Sequence, residues 1–159
     1  MIFITLGSQK FQFNRLLIEI DRLIEEKKIN ENVFAQIGYS DYIPKHYKYK
    51  KFLDREEFSD IMESCENVIT HGGTGAIIGA VKKGKKVIAI PRLEKFGEHV
   101  DNHQIEIVSQ FKELGLIESV YSIDKLETTL KKMNFIEFNE YSSNNKLIIE
   151  SIDEFIMSL

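Results

Sequence analysis

A glycine-rich stretch at residues 71–75 is the part of the sequence best suited to bind a ligand. It follows the apolar run Asn67–Thr70, which is typical of a buried strand, and precedes Ala76–Lys83, which is typical of a helix. Glycines at such a junction leave backbone N–H groups uncovered, and a helix N-terminus with free N–H groups attracts phosphate. We therefore expect a phosphate or pyrophosphate site here, with a purely structural close contact as the alternative. The residues are His71, Gly72, Gly73, Thr74 and Gly75.

Two common phosphate-binding motifs do not fit this stretch. The spacing of Gly73, Gly75 and Gly79 is similar to a dinucleotide fingerprint, but that fingerprint belongs in the first strand–helix turn of a domain. No Lys-Ser or Lys-Thr pair follows the glycines, as a P-loop requires. The ligand is therefore neither a dinucleotide nor a P-loop triphosphate.

Two further loops carry polar side chains next to predicted strand ends. Gly7 and Ser8 follow the first strand, where a tight turn is the alternative to a binding role. The loop after the fifth predicted strand leads into a helix whose first turn holds Asn102, His103 and Gln104. Amide and imidazole groups suit sugar hydroxyls, which both donate and accept hydrogen bonds. A well-capped, solvated helix start, with Asp101 as the cap, is the alternative.

Metal binding and nucleophilic catalysis are not expected from the sequence. His99 and His103 have a spacing found in helical zinc sites, but Val100 replaces the glutamate of that motif and no third ligand is evident. Ser8 does not lie in a nucleophile elbow, and Cys65 lies on a helix expected to face the core. We expect no metal and no cofactor, and no catalytic base is identified in the chain.

The composition is that of one globular domain covering residues 1–159. The net charge is −4 with lysine and glutamate interspersed, which argues against a duplex nucleic-acid binder. The single cysteine fits a reducing compartment, and neither a signal peptide nor a membrane-spanning run is evident. A cytoplasmic location is therefore expected.

Short apolar runs alternate with longer amphipathic ones, which predicts a Rossmann-like three-layer α/β/α fold with a parallel sheet of about six strands. Ligands of such sheets lie outside the carboxyl ends of the strands, near the topological switch point. The predicted strands are Ile2–Leu6, Val33–Ile37, Lys48–Leu53, Asn67–Thr70, Val87–Ile90 and Leu116–Val120. The predicted helices are Phe13–Lys28, Asp54–Cys65, Ala76–Lys83, Asp101–Leu114, Asp124–Met133 and a last one at about 143–158.

Three elements in this order carry a resemblance to a known family: the Gly-Ser-Gln turn at 7–9, the stretch at 71–75 and the string Gly-Glu-His-Val-Asp-Asn-His-Gln at 97–104. Together they resemble the C-terminal, donor-binding domain of family-28-type glycosyltransferases of the GT-B fold, over nearly the whole chain. The likeness is strongest to a branch in which this domain is a separate subunit. That branch includes bacterial polysaccharide β-1,4-galactosyltransferase enhancers and the small soluble subunit of the eukaryotic dolichol-linked N-acetylglucosaminyltransferase.

The resemblance implies a UDP-sugar donor and assigns residues to each part of it. The glycine stretch with Gly7 and Ser8 would hold the diphosphate, and Phe52 and Leu53 would hold uracil. The donor sugar would lie against Glu98, His99, Asp101, Asn102, His103 and Gln104. The family's ribose-binding glutamate falls at Gly79, so ribose would be bound elsewhere, by Glu98 or a partner.

The resemblance also implies that the chain is half of an inverting two-domain enzyme. A membrane-anchored partner subunit would supply the base and a lipid-linked saccharide acceptor, and would recruit the chain to the inner face of the membrane. Capsule or exopolysaccharide synthesis with β-1,4-galactosyl transfer is the expected process. The alternatives are a non-catalytic enhancer that stabilises the partner, and an unrelated nucleotide-binding regulator acting alone.

Overall fold

A computed structural model describes residues 1–142, 150 and 154 of the chain. Its centre is a sheet of six parallel strands in the order β3-β2-β1-β4-β5-β6. The last predicted helix, at about 143–158, lies almost entirely outside the described residues. The strands are β1 Ile2–Thr5, β2 Val33–Gln36, β3 Lys48–Lys50, β4 Asn67–His71, β5 Lys86–Ile90 and β6 Glu118–Ser119.

Helices cover both faces of the sheet, which confirms the predicted three-layer α/β/α fold. Residues of α1 and α5 pack with one buried face of the strands, and residues of α2, α3 and α4 pack with the other. No helix in the described part of the chain is long and apolar enough to cross a membrane. The helices are α1 Asn14–Glu25, α2 Arg55–Ser64, α3 Thr74–Lys82, α4 His103–Glu113 and α5 Leu126–Lys132.

The ends of the elements follow local backbone chemistry where the sequence carries a cap. Asp54 and Glu57 form the predicted capping box at the start of α2. Gly115 takes a φ of 71° just after α4, as expected for a residue that ends a helix. The predicted first helix is too long, because Lys27 adopts a φ of 60° and the chain leaves α1 after Glu25.

Three bounds differ from the prediction in ways that affect the site. β4 continues through His71 by pairing with Ile90 of β5, so the histidine belongs to the strand and not to the loop. α3 begins at Thr74, within the glycine stretch and two residues before Ala76. α4 begins at His103, two residues later than predicted.

The strand order reverses between β1 and β4, which lie side by side at the centre of the sheet. Thr70 Oγ1 donates a hydrogen bond to Thr5 O at 2.8 Å and ties the ends of these two strands together. A crevice outside the carboxyl ends of the strands at such a reversal is where this class of sheet binds ligands.

Candidate functional site

The loop after β4 does not offer all of its backbone N–H groups to a ligand. Gly72 N donates to Gln104 Oε1 at 2.9 Å, and Gly73 N donates to His71 Nδ1 at 3.1 Å. Both groups are therefore satisfied within the protein. The expectation that the whole glycine stretch presents bare N–H groups is wrong for these two residues.

The free N–H groups lie one to three residues further along, in the first turn of α3. The first backbone hydrogen bond of the helix runs from Ile77 N to Gly73 O, and no side chain caps the helix start. The N–H groups of Thr74, Gly75 and Ala76 consequently have no acceptor among residues 1–142, 150 and 154. These three groups, with the positive end of the helix macrodipole, are the part of the site best suited to an anion.

The three glycines of the stretch differ in whether the surrounding protein leaves room for a side chain. A Cβ at Gly72 would lie 2.8 Å from Gln104 Cβ and 2.9 Å from Val108 Cγ2, so α4 packs too closely for a side chain. A Cβ at Gly73 would overlap the ring of His71. At Gly75, by contrast, no atom lies within 4 Å of the Cβ position. Only Gly75 leaves its space open on the outside of the protein.

His71 is 5% exposed and lies directly beneath the glycines. Its Nδ1 is 3.2 Å from Gln104 Nε2 as well as 3.1 Å from Gly73 N. Burial, followed by the nearby charge of Arg92, lowers the pKa of the His71 imidazole to about 3. The ring is therefore neutral at physiological pH.

Gly7 lies against the other side of this ring. It takes a φ of 73°, a left-handed conformation that favours glycine. A Cβ at Gly7 would come within 2.8 Å of His71 Nε2, so the turn after β1 approaches the loop after β4 closely. Ser8 follows with an exposed side chain at the mouth of the crevice. The structure thus brings together Gly7, Ser8, His71 and the start of α3.

Gln104 is 3% exposed, and its amide contacts the protein itself. Its Oε1 accepts from Gly72 N and from Arg92 N, both at 2.9 Å, and its Nε2 faces His71. The amide thereby links α4 to the loops after β4 and β5. A contact of Gln104 with the donor sugar stays a prediction. In the structure, the amide of this side chain forms hydrogen bonds with the protein instead.

Arg92 is a residue of the site that the sequence reasoning missed. It is 1% exposed, and its guanidinium donates to Leu6 O at 2.6 Å and to the carbonyl oxygens of Phe11, Gln12 and Glu98 at 3.1–3.3 Å. Burial lowers its pKa to about 10, so it stays charged at neutral pH. Arg92 holds the long loop after β1 in place and adds a fixed positive charge behind the glycines. Its only signal in the sequence is its position directly after Pro91 at the end of β5.

Glu98 is also buried, at 1% exposure, and both of its oxygens are engaged. Oε2 accepts from Arg15 Nε at 2.7 Å, and Oε1 accepts from Leu93 N at 3.0 Å. This ion pair fastens the loop after β5 to α1. The predicted contact of Glu98 with the donor stays a prediction, and it would require this pairing to open.

The remaining residues predicted to bind the sugar lie in the turn before α4. The His99 ring stacks on Phe11 with centroids 5.6 Å apart, and its Nδ1 lies 3.1 Å from Asp101 Oδ1. Asp101 Oδ1 accepts from His103 N at 3.0 Å, and this bond lowers the pKa of the Asp101 carboxyl. Asn102 Oδ1 accepts from Glu94 N, and the His103 side chain is partly exposed. No group of three His, Cys, Asp or Glu residues suited to a metal ion occurs within the described part of the chain.

Phe52 and Leu53, predicted to hold uracil, lie two strands away from β1 at the end of β3. Leu53 N donates to Gln36 Oε1 at 2.9 Å, so this backbone group is already used. The Phe52 ring is 45% exposed and meets the exposed ring of Tyr39 edge to face, with centroids 5.1 Å apart. The sequence reasoning missed Tyr39, because it considered only the loops after the first, fourth and fifth strands.

The sequence relatives are much longer proteins, and the chain matches only one part of each. The chain is 26% identical over 120 residues to the UDP-N-acetylglucosamine transferase subunit ALG13 of Mus musculus, covering 71% of this chain and 10% of that protein. It is 38% identical over 66 residues to the subunit of the same name from Candida albicans, covering 42% of this chain and 21% of that protein. The chain thus spans about a tenth to a fifth of the length of these curated relatives.

Solved structures share the fold. The glycotransferase of kitacinnamycin superposes with a TM-score of 0.60 at 14% identity, covering 99% of this chain and 39% of that chain. MurG of Acinetobacter baumannii superposes with a TM-score of 0.59 at 14% identity, covering 95% of this chain and 49% of that chain. At these identities the likeness establishes the architecture alone.

The glycosyltransferase family 28 C-terminal domain matches residues 1–157, nearly the entire chain. This match agrees with the parallel six-stranded sheet and with the glycine loop at its switch point. The chain therefore belongs to the glycosyltransferase family 28 C-terminal domain family.

Proposed function

We propose that this domain binds the diphosphate of a UDP-sugar at the start of α3 and serves as the donor-binding half of a glycosyltransferase. The observation that carries the proposal is the set of three free N–H groups at Thr74, Gly75 and Ala76, placed at the switch point of the sheet. The buried positive charge of Arg92 lies behind them. Hydrogen-bond donors fixed in this way stabilise the charge that develops on the departing UDP, a role that requires no metal.

The uracil would lie over the exposed aromatic pair of Tyr39 and Phe52. Strands in a sheet are about 4.8 Å apart, so the end of β3 lies roughly 14 Å from the end of β4. The base and the diphosphate of one extended nucleotide would occupy the two ends of this span. The donor sugar would then extend toward the turn that carries Asp101, Asn102 and His103.

A second subunit would supply the acceptor and the base. The chain spans 39% of the kitacinnamycin glycotransferase and 49% of MurG, so a second subunit would have the place of their remaining part. The curated relatives are named as a transferase subunit, which supports action as one component of a complex. Exposed apolar side chains in the loop after β5 and at the start of α4, among them Phe96, Val100 and Ile105, offer a surface for such a partner. We propose that the partner is membrane-anchored, holds a lipid-linked saccharide and recruits this chain to the inner face of the membrane.

The donor sugar is the least constrained part of the proposal. The relatives' name points to N-acetylglucosamine for those proteins, whereas the resemblance to polysaccharide enhancer subunits favours galactose and capsule or exopolysaccharide synthesis. Galactose differs from N-acetylglucosamine in the configuration at C4 and in carrying a hydroxyl instead of an acetamido group at C2, so a few contacts decide between them. A donor screen with the assembled complex and a lipid-linked acceptor distinguishes them.

Titration of the chain with UDP tests the donor-binding role directly. NMR chemical-shift changes detect binding even at a Kd of ~1 mM, a binding free energy of about 4 kcal/mol. We expect shifts at Thr74, Gly75 and Ala76. A chain that binds no UDP, either alone or with its co-expressed partner, would instead be a non-catalytic enhancer.

A further inference from the structure

The orientation of the Gln104 amide is determined by two backbone groups. Its Oε1 lies 2.9 Å from Gly72 N and 2.9 Å from Arg92 N. A backbone N–H only donates, so the amide end that faces these two groups must be the oxygen. The NH2 end consequently faces His71 Nδ1, at 3.2 Å.

This orientation determines where the proton of the His71 ring is. Nδ1 faces two donors, the Gln104 NH2 group and Gly73 N at 3.1 Å. A neutral imidazole has one acceptor nitrogen and one N–H, so Nδ1 is the acceptor and the proton is on Nε2. Burial and then the charge of Arg92 lower the pKa of the ring and so disfavour a second proton, and they outweigh the hydrogen bond with Gln104, which acts in the opposite direction.

His71 Nε2 has no hydrogen-bond partner within residues 1–142, 150 and 154, although the residue is 95% buried. It lies 2.8 Å from the point that a Cβ of Gly7 would occupy, between the turn after β1 and the loop that leads into α3. The free N–H groups of Thr74, Gly75 and Ala76 follow in the same loop. An unpaired donor is therefore positioned in the crevice at the switch point.

We infer that Gln104 is a positioning residue that keeps the ring proton of His71 on Nε2 and so presents a neutral N–H donor to the bound diphosphate. Gln104 acts through the ring and the loop, and the donor sugar is left to the side chains of the turn before α4. Because the donor is neutral, its contribution to binding does not change with pH in the physiological range. The identity of the ligand rests on the proposed function, whereas the position of the proton can be measured without any ligand.

The first measurement concerns the unliganded protein with 15N-labelled histidine. Long-range 1H–15N NMR spectra distinguish a ring with its proton on Nε2 from one with its proton on Nδ1. We expect the Nε2–H form for His71, unchanged between pH 5 and pH 8.5, where an ordinary histidine titrates near 6.5. A ring with its proton on Nδ1, or a ring that titrates in this range, would overturn the inference.

The second measurement uses Gln104→Glu, with Gln110→Glu on the exposed side of α4 as the matched control. A glutamate still accepts from Gly72 N and Arg92 N, but it cannot donate to Nδ1 and instead attracts a proton onto it. We expect the variant's His71 to titrate, with the neutral form now carrying its proton on Nδ1. Nε2 then faces the diphosphate as a lone pair at high pH and as an N–H at low pH.

UDP binding reports on this change through its pH profile. Loss of a hydrogen bond to a charged group costs about 1.5–3 kcal/mol, or roughly ten- to a hundredfold in Kd. The ratio of the Kd of Gln104→Glu to that of the wild type should rise by this factor from pH 5.5 to pH 8.5, and taking the ratio cancels the titration of UDP itself. A ratio that is independent of pH would refute the presentation of Nε2–H to the ligand. Absence of UDP binding by the wild type would refute the proposed function alone, because the NMR measurement still decides the ring proton.

Discussion

Replacing Gly75 with alanine tests whether the start of α3 binds the diphosphate. Gly75 is the second residue of the helix and is exposed, and no atom lies within 4 Å of its Cβ position. The added methyl group therefore meets no atom of residues 1–142, 150 and 154. Alanine in a helix is more favourable than glycine by roughly 0.5–1 kcal/mol. For a chain of this length, that gain raises the melting temperature by about 1–4 °C.

The same methyl group should interfere with a bound diphosphate. The Cα–Cβ bond of a helical residue tilts toward the helix N-terminus, so the methyl group points to the end where the ligand would lie. Displacing a phosphate oxygen from one N–H group loses a hydrogen bond to a charged group, about 1.5–3 kcal/mol. We therefore expect Gly75→Ala to weaken UDP binding roughly ten- to a hundredfold while stabilising the fold.

Gly79→Ala is the matched control, because Gly79 is exposed in the same helix and its Cβ position is equally open. It lies one turn further on, about 6 Å along the helix axis. Pyrophosphate serves as a second ligand, since it has no ribose and reports on the phosphate site alone. Calorimetric titration should show weaker pyrophosphate binding for Gly75→Ala and unchanged binding for Gly79→Ala. If Gly75→Ala binds UDP and pyrophosphate as tightly as the wild type, the diphosphate does not lie at the start of α3.

Three further predictions follow from the surroundings of the site. Arg92→Ala leaves four carbonyl acceptors without their donor and should lower the free energy of unfolding by at least about 3 kcal/mol, and an unchanged urea midpoint would contradict this. Phe52→Ala and Tyr39→Ala should weaken the binding of UDP but not of pyrophosphate, and equal losses for both ligands would exclude a uracil site at this pair. The pKa of His71 is lower in the folded chain than its ordinary value of 6.5, so its contribution to stability is present above pH 6.5 and is lost as the pH falls toward 3. The melting temperature of His71→Gln should therefore decrease less between pH 7 and pH 4.5 than that of the wild type. Equal decreases would contradict a buried neutral ring.

The sequence was sufficient to predict the fold because the signals that define its elements are local. Apolar runs locate five of the six strands, whereas β3 at Lys48–Lys50 is polar and exposed. Asp54 with Glu57 predicts the start of α2, and Gly115 predicts the end of α4. The alternation of strands and helices then predicts a parallel sheet with helices on both faces. The position of the site at the carboxyl ends of the strands follows from this topology.

The individual roles within the site could not be predicted, because they depend on contacts between distant parts of the chain. Gly72 N is satisfied by Gln104, 32 residues later, and Arg92 reaches carbonyl oxygens 80 to 86 residues earlier. Which polar groups remain free for a ligand is decided by these long-range pairs. Residue types and spacing predict the location of the site, but not which of its groups the protein uses for its own stability.

In any sequence with this motif, the three glycines after His71 therefore differ in how well they indicate ligand binding. The packing of α4 and the ring of His71 require Gly72 and Gly73 whether or not a nucleotide is bound. A chain that had lost the ability to bind a nucleotide would still need Gly72 and Gly73. A sequence search based on these two glycines would therefore still assign that chain to the family. Gly75, which no contact in the described part of the chain requires, is the position that we expect to distinguish a binding-competent member from one that keeps only the architecture.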